Sequence, residues 1–188
     1  MEPTIFHLIG SPGVGKYTIG KALAEATGAR LVDNPAIANV IFNLLDQDGF
    51  KPRPEGVWSY GRAAGRTVLA AMMQLTPPHL SFIFTNYIRG GDASEYALFL
   101  ENVALAEARD SRFVPVLLTC ETPELMNRIG TESRRERMKL LDPVEGARLN
   151  DLPAFETDHP NFLRLDVTRL TPEASVRAIV EWADSLPA

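Results

Sequence analysis

Short apolar runs alternate along the chain with longer stretches in which apolar residues recur every three or four positions, the pattern of buried strands separated by amphipathic helices. Ile5–Ile9, Ala29–Val32, Leu80–Phe84, Phe113–Cys120 and Phe162–Leu165 read as strands. Tyr17–Thr27 is rich in helix formers and Gly28 is placed to stop it. Pro35–Asp46 carries an apolar face of Ile37, Val40, Ile41, Leu44 and Leu45. Residues 57–75 give a long helix, Ser94 caps another that runs to Ala108, and Ala174–Ser185 closes the chain with Val176, Ile179, Val180 and Trp182 inward. Thr122 reads as an N-cap with Pro123 at the first helical position, and Asp142–Pro160 reads as loop. Pro115 lacks the N–H for a ladder bond and so belongs near the start of pairing. Strict alternation of strand and helix predicts a three-layer α/β/α fold around about five parallel strands, with no repeat or linker to divide residues 1–188 into more than one domain.

The junction between the first strand and the first helix carries the clearest chemistry. It reads Gly10-Ser11-Pro12-Gly13-Val14-Gly15-Lys16-Tyr17-Thr18, a G-x-x-x-x-G-K run between a buried strand and an opening helix, which is the context of a phosphate-binding P-loop. Glycines let consecutive N–H groups converge on one point, where the positive end of the following helix adds its dipole. Lys16 then meets the β- and γ-phosphates, and a nearby hydroxyl faces bound Mg²⁺. Tyr17 occupies the position after the lysine, so that hydroxyl comes from Thr18, with water.

This run resembles the P-loop of adenylate kinase and related nucleoside monophosphate kinases, in which a Gly-Thr pair follows the lysine. The resemblance extends in order of elements to shikimate-kinase-type small-molecule kinases. It implies a P-loop NTPase fold, ATP and Mg²⁺ as cofactors, an acceptor-binding insert over about residues 35–78, and an arginine-rich helical lid over about residues 124–142. It also implies that lid arginines, with Arg128 and Arg135 as the candidates and the inward face of the segment left open, meet charge on the transferring phosphoryl group while lid closure excludes water. Arg134 and Arg137 lie on another face of that segment, and a basic helix held open by its own Glu/Arg pairs is the plainer alternative. In such kinases the loop before the last helix, here 166–173, packs on adenine; Arg169 would stack there.

Asp33 follows the second strand and should lie at the carboxyl edge of the sheet, where open parallel sheets bind their ligands. It would orient or deprotonate an acceptor hydroxyl, with helix capping before Pro35 as the alternative and a split of the two roles, Asn34 capping, as a third. Arg62 and Arg66, four apart on the 57–75 helix, would share a face and grip an anion, or simply be solvated. Asn86 stands where a motor ATPase has its Walker-B aspartate, and no Asn-Lys-x-Asp guanine motif occurs, which disfavours motors and switch GTPases.

Composition narrows the function classes. A net charge of −5 argues against a general nucleic-acid binder, and the 188 residues suffice for one full core. The single cysteine, Cys120, excludes an internal disulfide and ends an apolar run, which suits a buried thiol in a reducing cytoplasm. No run is long enough to span a bilayer, so no membrane partner is expected. His7 reads as core, His79 and His159 as loop. The sequence therefore predicts a cytoplasmic ATP-dependent phosphotransferase acting on a hydroxyl or phosphate of a small metabolite or nucleotide. A nucleotide-binding regulatory module with no small acceptor is the second reading, and oligomeric state is left open.

Overall fold

The computed structural model describes residues 2–45, 54–129, 134 and 139–187. Five strands, β1 (Thr4–Ile9), β2 (Arg30–Asp33), β3 (Phe82–Asn86), β4 (Arg112–Thr119) and β5 (Leu163–Asp166), form one sheet in the order β2-β3-β1-β4-β5. Every pairing is parallel. Among the described residues these helices join them: α1 (Lys16–Thr27), α2 (Asn34–Phe42), α3 (Val57–Leu75), α4 (Ala93–Ala108), α5 (Thr122–Ile129), α6 (Pro143–Asn150) and α7 (Pro172–Ser185).

The alternation along β1 explains the two cores. Phe6 and Leu8 face α1, α5 and α7, packing with Leu23, Leu125, Ile129 and Ile179. Ile5 and Ile9 face α3 and α4, packing with Met72, Phe84, Phe99 and Leu105. Both faces are covered, so β1 is buried at all six positions, as a parallel strand between two helical layers must be. A third, much smaller cluster of Ala38, Phe42 and Val57 holds α2 to α3.

Several elements differ from expectation for local reasons. Asp92 caps α4, its carboxylate accepting from the backbone N–H of Ser94 and Glu95 at 3.0 and 3.1 Å, so Ser94 is inside the helix. Thr122 is likewise inside α5 and turns its hydroxyl to Asp151 at 3.2 Å. Helix α6 lies in the stretch read as loop: Asp142 accepts from Val144 and Glu145 N–H groups, and Pro143 takes the first helical position. Helix α2 stops at Phe42, and it buries Ala38 and Phe42 while Val40 and Leu44 are exposed, a face rotated from the one expected because this helix is apolar almost all round. Pro115 pairs opposite His7 in the middle of the β1–β4 ladder. It is tolerated because β5 joins β4 only from Val116 onward, leaving Pro115 with a strand on one side. Cys120 is buried, and burial pushes its thiol pKa up, the state of an inert core thiol. Among the described residues no helix is long and apolar enough to cross a membrane.

Candidate active site

The strands β2, β3 and β1 end side by side, which brings Asp33, Asn86 and the Gly10–Lys16 loop to one edge of the sheet. Asp33 lies opposite Thr85, and Ile9 opposite Asn86, so Asn86 sits between the loop and the carboxylate. A cleft of about 1370 Å³ opens over this edge, lined by the loop, by α2 and α3, by the start of α4 and by Arg134, Lys139 and Asp142.

The loop adopts the conformation its glycines permit. Gly13 and Gly15 have φ of 101° and 112°, and a Cβ on Gly13 would lie 2.8 Å from Ile129 Cγ1. The backbone can curl against α5 only without a side chain there. Val14 is fully buried and roots the loop in the core. Gly15 precedes α1 with no side-chain cap, so the first N–H groups of that helix are left to a ligand.

Lys16 donates to the carbonyl oxygens of Gly10 and Ser11 at 2.5 and 2.9 Å, folding its ammonium back over the loop. Burial, followed by the charges of Lys139 and Arg134, lowers its pKa from 10.5 to about 7, with Asp33 opposing weakly. Three cations gathered beside the glycine loop and the uncapped start of α1 suit a polyanion. Lys139 lies 4.7 Å above the Tyr17 ring and 3.8 Å from Asp33 Oδ2. Tyr17, the departure in the motif, thus seats a cation beside the lysine.

Asp33 is buried; its Oδ1 accepts from the Thr85 hydroxyl at 2.6 Å, and that hydroxyl accepts from the Asn34 N–H at 3.2 Å. The carboxylate makes no capping bond to α2, so its proximity to Pro35 does not explain it, and Asn34 is the first helical residue and not the cap. Asn86 Oδ1 pairs with His7 Nε2 at 3.0 Å. Burial lowers the pKa of His7 to about 4, so the ring is neutral, and its Nδ1 has no partner in the core. Both polar contacts of the ring are made through Nε2, to Asn86 Oδ1 at 3.0 Å and to Asn102 Nδ2 at 3.4 Å.

The sequence-predicted arginines separate. Arg134 is near Lys16, its guanidinium donating to Leu140 O at 2.9 and 3.1 Å. Arg128 lines the cleft and also donates to Val14 O at 3.2 Å and to Val167 O and Thr168 O at 3.1 and 3.0 Å, while Glu124 accepts from its Nε at 2.8 Å. It ties the loop after β1 to the loop after β5. Arg135 and Arg137 lie outside the described residues. Arg169 is exposed on the same 167–171 loop and is not part of the cleft wall. Arg66 is held by Glu101 at 2.8 and 2.9 Å, so it does not join Arg62 around an anion. Thr18 lines the cleft at the first turn of α1. Sequence reading missed Asn102, buried beside His7 on α4, because a lone polar residue in an apolar helix face carries no motif.

No family model matches the chain, and no curated protein matches its sequence. Its fold does match solved structures. A sugar kinase from Janibacter sp. superposes with a TM-score of 0.63 at 19% identity, over 98% of this chain and 96% of that one. A thymidylate kinase from Candida albicans gives 0.62 at 14% identity, over 98% and 92%. A gluconokinase from Sinorhizobium meliloti gives 0.59 at 16% identity, over 97% and 93%. These neighbours are kinases of the P-loop type, and the chain has their fold along nearly its whole length.

Proposed function

We propose that this protein is an ATP-dependent phosphotransferase that moves the γ-phosphoryl group to a small-molecule acceptor within a single domain. The observation that carries the reading is the cluster of Lys16, Arg134 and Lys139 over a glycine loop, with the buried carboxylate of Asp33 facing the same cleft. The kinase fold of the structural neighbours supports it.

The residues present fit ATP and Mg²⁺. The loop from Gly10 to Lys16 would bind the phosphates through its N–H groups and ammonium, and Thr18 with water would face the metal. Among the described residues no group of three or more His, Cys, Asp or Glu side chains is placed to hold a metal ion. Bound Mg²⁺ would neutralise developing charge between the β- and γ-phosphates.

The chain's own residues supply the rest. Asp33, oriented by the Thr85 hydroxyl, accepts the proton of an acceptor hydroxyl or aligns it in line with the γ-phosphorus. Lys16 and Arg134 stabilise charge on the transferring group. Arg128 acts as a positioning residue by fixing the loop to residues 167–168, and the 167–171 loop with Arg169 would pack on adenine. Residues 35–78 form the acceptor side, and residues 124–142, Arg135 among them, the lid.

The test is ADP release from Mg·ATP across a panel of metabolites, run beside Lys16→Ala and Asp33→Ala. Stimulation by one compound that both variants lose is the expected result. Tight ATP binding with no compound-dependent turnover would favour the regulatory module instead.

A further inference from the structure

The wall of the cleft opposite the phosphate loop has a character of its own. It is built by α2, α3 and the first turns of α4, and among its described residues two of the three arginines, Arg66 and Arg89, are already matched by carboxylates. Arg66 is clamped by Glu101 through two contacts of 2.8 and 2.9 Å. Arg89 is held by Glu95 at 3.0 Å and by Asp92, and its own backbone N–H donates to Glu95 at 2.6 Å. Among the described residues of this wall, only Arg62 has no ion-pair partner, and it is exposed, where a single guanidinium adds little. An anionic acceptor would have to break one of these pairs and leave Glu95 or Glu101 unmatched inside the cleft, or lie near three carboxylates counting Asp33.

The rest of the wall is apolar. Ile37, Phe42, Trp58, Val68, Leu69 and Leu98 line it, with the Trp58 ring edge-on to Phe42 at 5.5 Å and 89°. Trp58 is 49% exposed, an indole half uncovered at the mouth of the cleft. Beside it run Gly61 and Gly65, one turn apart on α3. A Cβ on Gly65 would meet nothing within 4 Å, and one on Gly61 would only touch Ala38 Cβ at 4.0 Å. Packing of the protein against itself therefore does not require glycine at these sites, although each weakens a helix. They leave a trough between the aromatic pair and the carboxylate of Asp33.

We infer that this wall selects an uncharged hydroxyl compound with a flat apolar face, of nucleoside or aryl-alcohol size, against carboxylates and phosphate esters. The inference deepens the phosphotransferase reading and rests on it for the direction of transfer. Apolar area and Trp58 hold the ring, the glycine trough admits its edge, and the matched arginines make an acceptor's negative charge a penalty. Thymidine and an aryl aminodiol such as chloramphenicol represent the favoured class; gluconate, shikimate and thymidine monophosphate represent the rejected ones.

The test is titration of the full chain, with nucleotide present, by Trp58 fluorescence and by ADP release. The chain has two tryptophans, and the other, Trp182, donates to Asn161 O away from the cleft, so Trp58→Phe identifies the signal. Uncharged probes should change Trp58 emission and bind at least tenfold more tightly than charged ones, the clearest pair being thymidine against its monophosphate. Gly65→Leu should weaken the uncharged probes tenfold or more, and Glu101→Gln, by releasing Arg66, should narrow the gap within that pair. Preference for a carboxylate or phosphate probe, or no emission change with any uncharged probe, overturns the inference. If uncharged probes bind and obey these variants but none stimulates ADP release, the binding class stands and the phosphotransferase reading falls.

Discussion

The two sides of the cleft are made in opposite ways. On the phosphate side, the loop after β1 is rooted in the large core by Val14, tied down by Arg128, and held in a backbone conformation that only glycine allows at Gly13. Burial, with the neighbouring charges of Lys139 and Arg134 adding to it, brings Lys16 to about 7. On the other side, α2 and α3 are held together by a cluster of three buried residues, Arg66 and Arg89 are paired with carboxylates, and the glycines of α3 meet no neighbour that demands them. Under the proposed function, one side would draw its selectivity from unbalanced charge on a rigid backbone and the other from shape and from charge largely cancelled.

The largest expected break of this contrast is Lys16→Met. Turnover should fall by about 10³-fold or more, because charge on the transferring group loses its nearest cation. The same change should not lower the melting temperature of the free protein, and should raise it below pH 7. The folded-state pKa of Lys16 is depressed to about 7 from 10.5. Between those values the unfolded chain binds more protons, so stability rises with pH across that window, and the cost of burying the ammonium is present in full below it. Thermal scans at pH 6 and pH 9 with and without the substitution check the sign.

Asp33→Asn should lower kcat by about 10²–10⁴-fold while leaving the Kd for nucleotide within a fewfold, since the amide can still pair with Thr85 but cannot take a proton. Stopped assays and nucleotide titrations on the same preparation separate the two quantities. Next in size is Arg128→Ala, which strands the carbonyls of Val14, Val167 and Thr168 and should cost about 1–3 kcal/mol in denaturant unfolding. KM for ATP should rise with it.

Nucleotide binding should itself be proton-linked. Phosphate favours the charged form of Lys16, so above pH 7 binding takes up a proton and affinity declines by at most about tenfold per pH unit. Calorimetry in two buffers of different ionisation enthalpy counts that proton. The smallest effect is Gly65→Ala, expected to stabilise α3 by up to about 1 kcal/mol and to raise KM for the acceptor a fewfold.

How much of this was readable from the sequence follows the same divide. The loop Gly10–Thr18 announces itself because backbone geometry and phosphate chemistry demand those residue types at that spacing, and α3 was legible to its ends from its pattern. The place of Asp33 at the carboxyl edge of the sheet was legible from its position in the chain. The fates of Arg66 and Arg128 were not, since Glu101 and the Val14 carbonyl that hold them lie 35 and 114 residues away. Helix α6 could have been found: Asp142-Pro143 is an N-cap followed by proline, masked by the acidic run around it. The role of Tyr17 as a seat for Lys139 needed the chain to be folded.

The most direct test of the central claim follows the γ-phosphoryl group itself. With γ-labelled ATP and a stimulating acceptor, label should appear on the acceptor with the wild-type chain. Asp33→Asn should retain nucleotide binding and lose that transfer. Label released only as inorganic phosphate, at a rate indifferent to every acceptor and to Asp33, would contradict a phosphotransferase built on this cleft.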